Sequence, residues 1–116
     1  MKYLIYGVAI ITSLSGCHHG DRFYTISDPT KSETIILTKL PEQGSIYGWA
    51  LEGSGAIEGE AEISLMLDSK PYRTEQLSGT IDFQWKGDWY ADEAEILYTP
   101  NSVIGGSVQL KYRFHD

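Results

Sequence analysis

Apolar and polar residues alternate along most of the chain after residue 32, and this alternation predicts β-strands. The clearest run covers residues 57–68, where one face carries Ala61, Ile63, Leu65 and Leu67. A period of two puts alternate side chains on opposite faces of a strand, and a helix cannot gather such a set on one face. Two later runs, residues 76–86 and 107–115, follow the same rule, with their apolar faces formed by Ile81, Phe83 and Trp85 and by Val108, Leu110, Tyr112 and Phe114.

Turn-forming residues separate these runs. Gly53-Ser54-Gly55 predicts a tight hairpin between two strands. Residues 69–75 predict a loop, because Pro71 has no N–H group to donate within a central strand. Residues 87–93 predict a second loop, and residues 22–26 predict a first, marginal strand.

The pattern predicts an all-β fold with no helix after residue 17. Each strand has one apolar face, so two sheets must cover each other or one sheet must close on itself. We expect a small antiparallel β-sandwich of about six or seven strands, with a small closed β-barrel as the alternative. The predicted domain occupies residues 33–116, a length that accommodates one domain.

The N-terminal residues have a different character. Lys2 carries the only charge before an apolar run, and Leu14-Ser15-Gly16-Cys17 ends that run with small residues and the single cysteine. This order of a positive, an apolar and a small-residue region is typical of a secretory signal, and it resembles the lipobox of bacterial lipoproteins. The apolar run is shorter than the ~20 residues that a membrane-spanning helix needs. We therefore expect residues 1–16 to form a cleavable signal helix.

The resemblance to lipoproteins implies cleavage before Cys17, a lipid on its sulfur and an acyl chain such as palmitate on its new amino group. In that family an Asp after the cysteine retains the protein at the inner membrane. His18 occupies this position here, so the resemblance implies the outer membrane. Residues 17–32 would then be a short tether that keeps the domain near the membrane, on its periplasmic side.

The charge of the chain narrows the choice of partners. The formal net charge is −7, which argues against nucleic acid, since nucleic acid selects a basic surface. An acidic surface favours solubility or a cationic partner. The single cysteine excludes a disulfide within the chain.

The most unusual predicted loop lies within residues 86–95. It places Trp89 and Tyr90 beside Asp88, Asp92 and Glu93. Tyr and Trp are the usual anchors of protein interfaces, and an acidic surround selects a basic partner. The same groups could stack on a sugar ring or coordinate Ca²⁺, although their spacing does not match an EF-hand loop. Trp89 could instead fold back over the end of the core.

A second unusual loop contains Tyr72 and Arg73 within the cationic segment Lys70-Pro71-Tyr72-Arg73. This segment could meet an acidic partner, or Arg73 could form ion pairs with the acidic strand over residues 58–62. We favour the ion pairs, and we keep Tyr72 and Arg73 as candidate partner-binding residues.

Catalytic chemistry has little support in the sequence. The chain has no Gly-x-Ser-x-Gly, His-Glu-x-x-His or phosphate-binding motif, and its three histidines all lie near the chain ends. His18 and His19 are adjacent on the tether and point in different directions, which is poor geometry for a metal site. We expect neither an enzyme nor a bound cofactor or metal.

Together these features predict a small outer-membrane lipoprotein that binds a protein partner. The favoured role is an immunity or inhibitor protein that covers a toxin or lytic enzyme. An accessory role in secretion-system assembly is the alternative, and it resembles the pilotins in architecture only. A glycan- or calcium-binding module is the alternative from a different class, and it would use the same loop.

Overall fold

The computed structural model describes residues 20–116. The predicted signal peptide, Cys17, His18 and His19 lie outside the described residues. Within residues 20–116 the chain forms six antiparallel strands: β1 (Arg22–Ile26), β2 (Glu33–Thr38), β3 (Gly48–Leu67), β4 (Lys70–Asp88), β5 (Glu93–Pro100) and β6 (Gly105–His115). In this part of the chain, no helix has the length and apolar character needed to cross a bilayer.

The strands belong to one strongly curled sheet. Their order is β1-β6-β3-β5-β2, and β4 pairs with the other edge of β3. The predicted all-β, antiparallel fold class is confirmed. The arrangement combines features of the predicted sandwich and of the predicted barrel. As in a barrel, a single sheet curls, here into a half-barrel; as in a sandwich, its two halves enclose one core.

Strand β3 organises the sheet. Residues 48–58 of β3 pair with β6, residues 61–66 pair with β5, and β4 follows β3 along nearly its whole length. The change of partner coincides with a bend. There the β3–β4 register shifts between Ile57 and Glu60, and Gly59 has a φ of +123°. A β-bulge of this kind bends a strand and increases its twist.

Strand β4 follows the bend so closely that its two halves contact each other. The indole N–H of Trp85 donates to a carboxylate oxygen of Glu75 at 3.2 Å, although the two residues are ten positions apart in one strand. Ten residues of straight strand would span ~33 Å. The β3–β4 hairpin therefore folds back on itself, with Gly79 at a φ of +63° in the bend of β4.

The predicted hairpin at Gly53-Ser54-Gly55 is wrong. These residues lie inside β3, between β4 on one side and β6 on the other. A Cβ atom on Gly53 would lie 2.1 Å from the ring of Phe83. The glycine is therefore explained by the close approach of an aromatic ring, and a turn is not needed to account for it.

The predicted loop over residues 69–75 is also wrong. The chain turns at Asp68 and Ser69 alone, with φ angles of 53° and 64°, and β4 begins at Lys70. Two consecutive positive φ angles are the geometry of a type I′ hairpin turn. Pro71 is tolerated because β4 is an edge strand, where a missing N–H group costs little. Tyr72 and Arg73 consequently lie on a strand.

The core takes side chains from every strand. Most of the residues predicted to face inward are buried, namely Ala61, Ile63, Leu65, Ile81, Phe83, Trp85, Val108, Leu110 and Phe114. Two of the predicted residues differ: Leu67 lies at the hairpin tip and is 45% exposed, and Tyr112 is half-buried against the core. Tyr98 is fully buried, and its hydroxyl donates to the carbonyl oxygen of Pro29 at 2.6 Å. This bond fixes the β1–β2 connection to β5.

Candidate functional site

The folded hairpin creates a pocket between its tip and the end of β4. Its volume is about 440 Å³, and its walls are formed by Leu67, Tyr72, Asp88, Trp89, Tyr90 and Ala91. The first two residues come from the hairpin tip, and the others come from the end of β4 and the loop after it. The bend in the hairpin therefore brings together two segments that sequence analysis had selected separately.

Trp89 forms a fixed wall of this pocket. It is 8% exposed, and its ring lies 5.6 Å from the ring of Trp49, centroid to centroid. The indole N–H donates to the carbonyl oxygen of Glu93 at 3.0 Å, and the backbone N–H donates to the carbonyl oxygen of Tyr47 at 3.2 Å. Trp89 thus covers the end of the core, the packing that the sequence left open as an alternative to partner contact.

Three other large apolar side chains of the lining are exposed. Tyr90 is 75% exposed, Tyr72 is 66% exposed and Leu67 is 45% exposed. A folded chain gains free energy by burying such groups. Their convergence on one concavity is therefore the kind of exposed apolar patch that marks a binding site.

The three predicted acidic residues of this loop have different surroundings. Asp88 lines the pocket. Asp92 forms an ion pair with Lys39 at 3.6 Å, and its carbonyl oxygen accepts the backbone N–H of the same lysine at 2.8 Å. Glu93 begins β5 and accepts the Trp89 indole N–H through its carbonyl oxygen. Asp92 and Glu93 thus hold the loop in place, and Asp88 is the carboxylate available to a ligand.

Arg73 borders an adjoining, smaller pocket of about 220 Å³. This second pocket shares Tyr72, Asp88 and Trp89 with the first and adds the basic residue Lys86. The Arg73 guanidinium lies over the ring of Trp85, 5.6 Å from its centroid. Arg73 therefore makes a cation–π contact within β4, where the sequence favoured ion pairs with residues 58–62.

Sequence analysis missed Leu67 as a lining residue. Leu67 belongs to an alternating run and was assigned to the core on that pattern. Its exposure follows from the two-residue turn at Asp68 and Ser69, which places it at the hairpin tip. Recognising that turn in the sequence would have placed Leu67 beside Lys70 and close to Tyr72.

The acidic residues do not cluster in the manner of a metal site. Within residues 20–116, no group of three or more His, Cys, Asp or Glu side chains lies close enough to hold a metal ion. Asp21, which follows the tether histidines, accepts a hydrogen bond from the Nε of Arg113 at 3.0 Å.

Comparison with known proteins gives likeness at the level of the fold. No protein-family model matches the chain, and the curated proteins contain no match to it. The crystal structure of PirA superposes with a TM-score of 0.50 and 10% identity, over 85% of this chain and 98% of that one. A structure described as "CBM4 structure and function" gives a TM-score of 0.45 and 10% identity, over 84% of this chain and 73% of that one. At such identity these similarities concern the fold alone.

Proposed function

We propose that this protein is a lipid-anchored protein of the bacterial outer membrane that binds a partner protein at the pocket between the hairpin tip and the end of β4. One observation carries the proposal: Leu67, Tyr72 and Tyr90 are exposed and converge on a single pocket beside Trp89. Tyr and Trp are enriched among the residues that dominate protein–protein binding energy. The pocket is large enough to receive one anchoring side chain of a partner.

The composition of the walls favours a protein side chain over a sugar. Exposed tyrosine rings could stack on a sugar, which is the observation behind the glycan alternative. A sugar also requires several polar groups that fix its hydroxyls. The lining offers one carboxylate and two tyrosine hydroxyls among otherwise apolar surface. An amino-acid side chain with an apolar stem matches this surface better.

The lipid anchor is part of the proposal and depends on Cys17. Strand β1 begins at Arg22, so four residues separate it from the anchor and the chain takes five residue-to-residue steps between them. At ~3.4 Å per residue, this segment spans at most ~17 Å. The domain would therefore stay next to the membrane, and its partner would have to reach the membrane surface. Mass spectrometry of the mature protein should find a lipidated Cys17 as the first residue, and Cys17→Ser should abolish the modification.

The favoured role remains an immunity or inhibitor protein against a toxin or lytic enzyme. Such a protein needs no catalytic group, and it can act by filling or covering the active site of its target. A subunit of an assembly apparatus is the alternative partner. The identity of the bound protein distinguishes the two roles, because an inhibited enzyme loses activity on binding and an assembly subunit changes its location.

The test is a capture experiment with the purified full-length chain against envelope and secreted fractions of its own cell. The native chain should retain a stoichiometric partner, and the double variant Tyr72→Ala, Tyr90→Ala should lose it. The double variant Phe23→Ala, Ile104→Ala is a matched control, because both side chains are exposed and absent from the pocket lining. The proposal is wrong if capture survives in the pocket variant, or if neither fraction contains a protein that depends on the pocket.

A further inference from the structure

We infer that the pocket receives a cationic side chain, an arginine or a lysine of the partner protein. This inference rests on the proposed function, because it concerns the same pocket and specifies which chemical group enters it. It follows from three observations: the residues that line the pocket, the lack of a bonding partner for the Asp88 carboxylate, and the positions of the basic side chains of this chain.

The lining combines aromatic rings with apolar surface. Tyr72, Trp89 and Tyr90 supply the rings, and Leu67 and Ala91 supply aliphatic surface. A cation within ~6 Å of an aromatic centroid is attracted by the ring quadrupole. Lysine and arginine also carry methylene stems that pack on apolar surface while the charged head stays at the polar end. One basic side chain can therefore use both kinds of wall.

Asp88 decides between a cationic and a neutral occupant. It supplies the carboxylate of the lining, and within residues 20–116 this carboxylate forms no ion pair and accepts no hydrogen bond. A neutral apolar occupant would remove water from this carboxylate without forming a hydrogen bond to it, and this desolvation costs free energy. An ammonium or guanidinium group would replace that water with charge-assisted hydrogen bonds.

The chain already places its own guanidinium groups on aromatic rings. Arg22 lies over Tyr112 at 4.8 Å, and Arg73 lies over Trp85 at 5.6 Å. Arg73 and Lys86 line the smaller pocket and are absent from the lining of the larger one. The larger pocket is therefore the one open to an external cation, and the net charge of −7 attracts such a group at long range.

The test compares two probes of nearly equal shape in an NMR titration of the full-length chain. N-acetyl-arginine methylamide carries a guanidinium group, and N-acetyl-citrulline methylamide carries a neutral ureido group in its place. The arginine probe should give saturable shifts at the indole N–H of Trp89 and the amide of Tyr90, with an affinity at least tenfold higher than that of the citrulline probe. Asp88→Asn should weaken arginine binding at least fivefold. Asp82→Asn, which changes an exposed carboxylate of the same strand outside the lining, should leave it unchanged.

The outcomes separate this inference from the proposed function. Equal binding of both probes, binding of neither probe, or unchanged binding in Asp88→Asn overturns the cationic occupant. Each of these results is compatible with a partner that is still lost in the Tyr72→Ala, Tyr90→Ala variant, and that partner would then use an apolar anchor. Conversely, the arginine probe could bind selectively while the Tyr72→Ala, Tyr90→Ala variant still captures the partner. This result would support the cation site and overturn the proposed function.

Discussion

The hydroxyl of Tyr24 on β1 donates a hydrogen bond to the carboxylate of Glu33 on β2. These strands occupy the two ends of the order β1-β6-β3-β5-β2, so the bond joins the edges of the curled sheet. The guanidinium of Arg22 adds a second link by donating to the carbonyl oxygen of Thr38. Side chains thus join the open side of the half-barrel, where a closed barrel would have a ladder of backbone hydrogen bonds.

Removing the Tyr24 hydroxyl should loosen this junction. Tyr24→Phe keeps the ring and deletes the bond to Glu33, so we expect the free energy of unfolding to fall by about 0.5–1.5 kcal/mol. Equilibrium denaturation in urea measures the change. Tyr47→Phe is the control, because the Tyr47 ring is 58% exposed and its hydroxyl should contribute little. Equal stability of Tyr24→Phe and the native chain would mean that the junction does not hold the edges together.

Alkaline pH should weaken the fold through two tyrosines. The hydrogen bond to Glu33 raises the pKa of Tyr24, and burial raises the pKa of Tyr98 above the usual 10.0. Above pH 10 the folded state therefore holds protons that the unfolded state releases, so stability falls as pH rises. The stabilising contribution is complete below pH 10 and disappears as the pH passes the raised values.

Thermal unfolding between pH 8 and pH 11.5 tests the alkaline effect. The native chain should lose stability across the upper part of this range, and the double variant Tyr24→Phe, Tyr98→Phe should lose less. The double variant should also start from a lower stability, because the Pro29 carbonyl loses its buried donor at a cost of about 1–3 kcal/mol. Parallel curves for the two proteins would show that other groups cause the alkaline loss.

The sequence predicted the strands more successfully than the connections between them. Alternation identified the buried faces of β3, β4 and β6 because burial has a period of two along a strand. The connections failed because glycine and proline each have several uses. Gly53 makes room for the ring of Phe83 inside β3, and Pro71 lies on the unpaired edge strand β4, so neither residue marks a loop. Distinguishing these uses requires knowledge of which strand lies alongside.

The bend in the hairpin should depend strongly on Gly59 and weakly on Gly79. A Cβ atom on Gly59 would lie 2.0 Å from the carbonyl oxygen of Ser102, whereas a Cβ atom on Gly79 would meet no atom within 4 Å. Both residues have positive φ angles. We expect Gly79→Ala to cost about 1 kcal/mol, from backbone strain alone, and Gly59→Ala to cost about 3 kcal/mol or more. Urea denaturation measures both, and equal losses would contradict the role of Gly59 as the closely packed position in the bend.

The candidate site was only partly predictable. Aromatic residues in polar segments selected Tyr72, Trp89 and Tyr90, and all three line one pocket. The sequence could not show that the two segments meet, because their approach depends on a hairpin that folds in half. It also grouped Asp88, Asp92 and Glu93 as equals. Their roles differ because Lys39 neutralises Asp92 and the Trp89 indole engages the Glu93 carbonyl.

Substitutions of the two neighbouring aromatic residues should separate folding from binding. Trp89→Ala removes a buried ring that packs on Trp49, and we expect a loss of about 3 kcal/mol in the free energy of unfolding. Tyr90→Ala removes a 75% exposed ring and should change stability by no more than about 0.5 kcal/mol while weakening partner binding. Differential scanning calorimetry and the capture experiment provide the two measurements. A strongly destabilised Tyr90→Ala would mean that this ring supports the fold and is not free to bind.

A single charge should protect the unpaired edge of β4 over residues 80–85 from association with other chains. Within residues 20–116, β4 pairs only with β3, and it has no register shift between Gly79 and Asp88. Unpaired edge strands recruit other chains unless charge, proline or a bulge prevents it. In residues 80–85 the only charged side chain is the exposed Asp82, so Asp82→Val creates an uncharged run of high β-propensity. We expect this variant to form oligomers that grow with concentration, measured by light scattering.

Thr80→Val is the control for Asp82→Val. It adds the same side chain on the same strand face and keeps Asp82, so it should remain as dispersed as the native chain. Equal association of both variants would indicate that added hydrophobicity drives it, and equal dispersion would show that the bend of the hairpin protects the edge without help from charge.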